Sequence, residues 1–145
     1  MFKSILMPID GSTHSYKPLP VVVDLARQLD VKLVFLSVAE PRLYNGSDMD
    51  AVRTGAEVES GNLSSAQKNV GRALASARSA NVRCEAVVSL SRVPCDEILS
   101  TAERLQCDAI VMATRGKLGV IDTMFNESLT QEVLKKSSIP VLVFP

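Results

Sequence analysis

The stretch Ile5-Leu6-Met7-Pro8-Ile9-Asp10-Gly11-Ser12 is an apolar run that stops abruptly at an acid, a glycine and a hydroxyl. A strand covered on one face alternates apolar and polar residues, whereas one covered on both faces reads apolar throughout. Residues 5–9 are of the second kind, which predicts a strand inside a parallel sheet with helices on both sides. The same signature returns at residues 109–113 and 141–144. Two further Val-rich runs, residues 32–38 and 82–89, complete five predicted strands.

Helical patterns fill the intervals. Leu19, Val22, Val23, Ala26 and Leu29 recur at the spacing of one helix face, as do Leu63, Ala66, Val70, Leu74 and Ala77. A third helix opens at Pro94, carries Asp96 and Glu97 in its first turn, and continues through Ile98, Ala102 and Leu105. A fourth spans residues 128–136 and ends on basic residues, as the helix dipole favours. Pro20 predicts a delay or kink at the start of the first helix. Strands and helices in alternation define an α/β, doubly wound domain with a parallel sheet. The one long irregular stretch is residues 40–60, which holds Pro41, Asn45, Gly46 and Gly55.

Composition narrows the function classes. A chain of 145 residues suits one domain, residues 1–145, with a core that needs no covalent staple. Sixteen basic residues balance sixteen acidic ones, so no electrostatic footprint for nucleic acid or an anionic membrane is present. No apolar run approaches the roughly 18 residues that would span a bilayer. Cys84, Cys95 and Cys107 are odd in number and widely spaced, which reads as reduced thiols in a cytoplasmic protein.

In an open parallel sheet, ligands bind beyond the carboxyl ends of the strands where the strand order reverses. Two segments sit at such ends. Asp10, with Gly11 and Ser12, closes the first strand. An acid there accepts hydrogen bonds from a ribose, and it serves equally as a turn residue satisfying backbone donors. Met112-Ala113-Thr114-Arg115-Gly116-Lys117-Leu118-Gly119 follows the fourth strand, and its glycines let the backbone approach an anion. This is neither a Walker A loop nor GxGxxG. His14, the sole histidine, reads as a residue exposed at a helix start. No nucleophile, general base and orienting group can be assembled from the sequence.

Pro8-Ile9-Asp10-Gly11-Ser12 with His14-Ser15, and the closing Ile139-Pro140-Val141-Leu142-Val143, resemble the universal stress protein family along nearly the whole chain. The resemblance implies strand order 3-2-1-4-5, an adenine nucleotide α-hydrolase-like fold, and a homodimer formed through the last strand. It also implies a site for an adenine nucleotide, ATP or AMP, with Mg accompanying ATP. Pro8, Asp10 and Val38 match the positions that hold adenosine. In the ATP-binding branch the loop after the fourth strand reads G-x2-G-x9-G-[ST] and wraps the phosphates.

That motif fits this chain in two phases. One uses Ala113, Gly116, Glu127 and Ser128, with one extra residue in the spacer. The other uses Gly116, Gly119, Leu129 and Thr130. The first is preferred because it leaves the last helix its length, and it involves Met112 as the residue entering the loop. In it, two of three glycines are missing and one is an anion. Two unit charges about 4 Å apart repel by about 1 kcal/mol in water and about 4 kcal/mol at an effective dielectric of 20. Glu127 facing a phosphate would therefore cost from about fivefold to nearly a thousandfold in affinity. The expectation is a non-catalytic stress-response or regulatory domain with a partly degraded nucleotide cleft. The alternative is a working ATP binder that hydrolyses slowly or phosphorylates itself.

Overall fold

A computed structural model describes the backbone of residues 2–41, 49–114 and 127–145, and side chains from residue 60 and residue 129 onward in the last two spans. The elements are β1 (Ser4–Pro8), α1 (Thr13–Tyr16), α2 (Leu19–Leu29), β2 (Lys32–Ala39), α3 (Met49–Ser79), β3 (Cys84–Leu90), α4 (Pro94–Arg104), β4 (Ala109–Ala113), α5 (Glu127–Lys136) and β5 (Val141–Phe144). The sheet has order β3-β2-β1-β4-β5, and every pair is parallel. Met7 lies beside Phe35 and Leu6 beside Ile110 in register.

Because successive side chains of a strand point to opposite faces, each central strand feeds two cores. Ile5, Met7, Phe35 and Val111 pack with Val22, Ala26, Val70, Ala73 and Ala77 beneath α2 and α3. Leu6, Val34, Leu36, Ile110 and Met112 pack with Ile98, Ala102, Leu129 and Val133 beneath α4 and α5. Several of these side chains are fully buried, and each contributes about 1.5–3 kcal/mol relative to exposure. The uninterrupted apolar reading of β1 and β4 has this cause.

Three helix ends share one device. Asp30, Asn81 and Gln106 adopt left-handed backbone angles, with φ of 54°, 58° and 53°. The N–H of the next residue then reaches back five positions: Val31 to the carbonyl of Ala26, Val82 to Ala77 and Cys107 to Ala102, at 2.8–3.0 Å. This is the Schellman arrangement, and Val31, Val82 and Cys107 are its buried apolar followers. Val82 therefore belongs to a helix cap, and the third strand starts at Cys84, not at residue 82 as the apolar run suggested.

Residues 40–60 were read as irregular, yet α3 begins at Met49 and runs for 31 residues. Its first half lacks an apolar stripe and holds Gly55, so periodicity did not mark it. Leu29, assigned to the core face of α2, is 52% exposed. Pro20 acts as expected: α1 stops at Tyr16, and α2 restarts at Leu19 with Pro20 in its first turn, where no donor is lost.

Candidate functional site

The crossovers from β1 through β2 to β3 run one way across the sheet, and β4 and β5 lie on the other side of β1. The carboxyl ends of β1 and β4 thus flank the switch point. Pro8 ends β1, buried beside Leu36. The chain continues one residue further in extended form, the Ile9 N–H donating to the Leu36 carbonyl at 2.7 Å.

Asp10 follows. Its Oδ1 accepts the Ser12 N–H at 2.8 Å, closing an Asx turn. Ser12 Oγ in turn accepts the Ser15 N–H at 3.2 Å and caps α1. Asp10 therefore does serve its own turn, but with one oxygen only. Its Oδ2 is buried and has no hydrogen-bond partner among the described residues. A buried acceptor without a donor costs about 1–3 kcal/mol, so a group that donates to it is strongly favoured there.

Gly11 is favoured here for two reasons. Its φ is +87°, where a side chain is strained. The carboxamide of Asn69, from α3, lies 2.6–2.9 Å from where a Cβ on Gly11 would stand. The Asn69 carbonyl accepts the Tyr16 hydroxyl at 2.9 Å, and the Arg72 guanidinium sits 4.2 Å above the Tyr16 ring. Burial pushes the Tyr16 phenol above its ordinary pKa, Arg72 opposes that shift and Asp10 adds to it. The opposing charges of Asp10 and Arg72 thus both act on Tyr16. Sequence reading did not find Asn69, Tyr16 or Arg72, since more than fifty residues separate the partners. A glycine directly after the acid was the only signal.

The remaining predicted residues divide. Val38 is buried near the end of β2, packed toward α4, and the exit after it is tied when the Asn62 amide donates to the Glu40 carbonyl at 3.2 Å. Met112 is buried in the core beneath α4 and α5, so its side chain belongs to packing. Ala113 is half-buried at the end of β4, and the Thr114 N–H extends the ladder to the Phe144 carbonyl at 2.7 Å. Leu129 is a core residue, and Thr130 is buried with its Oγ1 unpaired among the described residues. Gly116 lies outside the described residues, as do the side chains of Glu127 and Ser128. A separate cleft of about 330 Å³ lies between α4 and α5 at the other end of the sheet, beside Cys107, Ile110 and Ile139.

The family model described as "Universal stress protein family" matches residues 1–145. The chain belongs to the universal stress protein family. A universal stress protein of Thermus aquaticus is 33% identical over 99% of this chain and 98% of its own length. One from Synechocystis sp. is 31% identical over 100% of this chain and 87% of its own.

Among solved structures, the universal stress protein UspA from Lactobacillus plantarum superposes with a TM-score of 0.80 at 19% identity, covering 99% of this chain and 98% of that one. A universal stress protein in complex with cAMP gives 0.70 at 19% identity, covering 99% and 97%. A family member from Arabidopsis thaliana with AMP bound gives 0.70 at 15% identity, covering 98% and 90%. At these identities the likeness establishes the universal stress protein fold. Among the described residues, no helix is long and apolar enough to cross a membrane.

Proposed function

We propose that this universal stress protein is a non-catalytic regulatory domain of the cytoplasm that holds an adenine nucleotide by its nucleoside, over a degraded phosphate loop. The observation that carries the reading is the unpaired, buried Oδ2 of Asp10 at the switch point. A ribose hydroxyl is a donor of the right kind for it, and the strand ends beside it are where such folds take ligands. The family members bound to AMP and cAMP lend support, since neither ligand needs a triphosphate-wrapping loop.

The phosphate half is weaker. Ala113 stands at the first motif glycine and Glu127 at the third, so the sequence carries a methyl group and an anionic residue where the motif supplies bare backbone. Mg therefore has no necessary part, and ATP gains little over AMP. The protomers pair through β5 into a homodimer, each keeping its own site. Its last strand supports this: Leu142 is 48% exposed on an edge with apolar neighbours.

Calorimetric titration of AMP into the intact protein and into Asp10→Ala tests the reading. The variant is expected to lose about tenfold or more in affinity, the value of a buried charge-assisted hydrogen bond. Equal affinity in the two proteins overturns it. Glu127→Gly is expected to strengthen ATP binding and leave AMP binding nearly unchanged.

A further inference from the structure

Resting on that reading, we infer that Asn69 is the positioning residue for Asp10, and that α3 rather than the β1 turn itself sets the geometry of the nucleoside site. The turn's own hydrogen bonds are the Asx bond from the Ser12 N–H to Asp10, the Ser12 Oγ cap of α1, and two to the Ser12 carbonyl, from the Ser15 N–H at 3.1 Å and the Ser15 hydroxyl at 2.8 Å; none of these four involves Gly11. Its central residue, Gly11, has the widest conformational freedom of any residue and holds a left-handed angle. Something outside the turn must remove that freedom. The Asn69 carboxamide does so by filling the space above the Gly11 Cα, with three atoms within 2.9 Å of the Cβ position.

Asn69 is itself anchored. Its flanking Val70 is buried in the core, and its own carbonyl receives the Tyr16 hydroxyl from α1. Tyr16 is nearly buried and is covered on one face by Arg72, one turn along α3 from Asn69. The turn carrying Asp10 is therefore held at both ends by one helix: at Gly11 through Asn69, and at Tyr16 through the Asn69 carbonyl and Arg72. Neither contact involves Asp10 Oδ2, which stays available to a ligand. A site residue held within a fraction of an ångström by neighbours locked in packing is the arrangement binding requires.

The role assigned to Asn69 is shape, and this separates it from a direct ligand contact. Leucine has the same branching at Cγ and no polar atoms, so Asn69→Leu keeps the cover over Gly11, whereas Asn69→Ala removes it. Two readouts follow. In the ligand-free protein, amide hydrogen exchange at Ser12 reports the Asx turn. Asn69→Ala is expected to speed it about tenfold or more, and Asn69→Leu to leave it near the wild-type rate. With AMP, Asn69→Ala is expected to weaken binding about tenfold while the urea midpoint of unfolding moves little, and Asn69→Leu to restore affinity. Tyr16→Phe, which deletes only the hydroxyl, is a milder variant expected to move both readouts in the same direction.

Unchanged exchange at Ser12 in Asn69→Ala overturns the inference. So does Asn69→Leu with a protected Ser12 amide and lost AMP binding, which makes the carboxamide a direct contact. If the wild-type protein fails to bind AMP, the nucleotide reading falls, and the Ser12 exchange rates still decide the role of Asn69.

Discussion

Asp10 gives Oδ1 to the Ser12 N–H at 2.8 Å and keeps Oδ2 buried with no partner among the described residues. The two oxygens of one carboxylate thus have different duties. One fixes the turn after β1, and on the proposed reading the other receives a ribose hydroxyl.

Gly11 is the residue on which that turn is most exposed to change. Gly11→Ala places a side chain at φ +87° and against the Asn69 carboxamide, 2.6 Å from its Oδ1. The expected cost is about 1–3 kcal/mol, combining backbone strain with displacement of the Asn69 side chain. Urea unfolding measures it. A variant as stable as the parent shows that the turn adapts freely and that Asn69 does not restrain it.

At the amino end of the same strand, the Asp108 carboxylate accepts the backbone N–H groups of Lys3 and Ser4 and ties β1 to the approach of β4. Those hydrogen bonds hold its pKa below the ordinary carboxylate value, the Lys3 contact contributing most. With a depressed pKa in the folded state, its contribution is present above the unfolded value, about 3.9, and is lost as pH falls through the folded one. The wild-type protein is therefore expected to be more stable than Asp108→Asn at pH 7, with the gap in urea midpoints closing toward pH 3. A gap that stays constant, or widens in acid, contradicts the assignment.

The fold was legible because its signals are local and redundant. The unbroken apolar reading of residues 109–113 and 141–144 returns as β4 and β5 with the same bounds; β4 is covered on both faces as that reading implies, whereas β5 is a half-exposed edge strand with Leu142 open to solvent. The first half of α3 was not legible. Its sequence has no apolar stripe at helical spacing, and Gly55 reads as loop chemistry. Val82 misled in the opposite sense: a buried valine closing a Schellman cap looks like a strand residue when the left-handed Asn81 before it is unseen.

The candidate site was legible at one residue. Asp10 stands out because an acid ends an apolar strand at a position where doubly wound sheets bind ligands. What holds it was hidden. Asn69 comes from a helix face otherwise filled by Val70, Ala73 and Ala77, and no periodicity distinguishes a residue that covers a glycine from one that faces solvent. Met112 and Leu129, which motif phase places at the two ends of the loop, carry side chains buried in the core beneath α4 and α5.

Assembly is tested at Leu142, which is 48% exposed on the outermost strand. If two copies of β5 pair about a two-fold axis, Leu142→Lys brings like charges together across the new ladder. Sedimentation is expected to find the parent dimeric at micromolar concentration and the variant's dissociation constant raised about tenfold or more. A parent that sediments as a monomer removes the dimer, and a variant as dimeric as the parent moves the interface away from β5.

The central claim is that the nucleoside end of the site is intact and the phosphate end is not, and parallel calorimetric titrations of adenosine, AMP and ATP measure it most directly. The account predicts that the three bind within about tenfold of one another, a spread of about 1.4 kcal/mol, and none more tightly than about 10 μM. ATP binding at nanomolar concentration, or ATP carried through purification, would show a working phosphate loop. Adenosine failing to bind while ATP does would place the affinity at the wrong end of the site and contradict the claim outright.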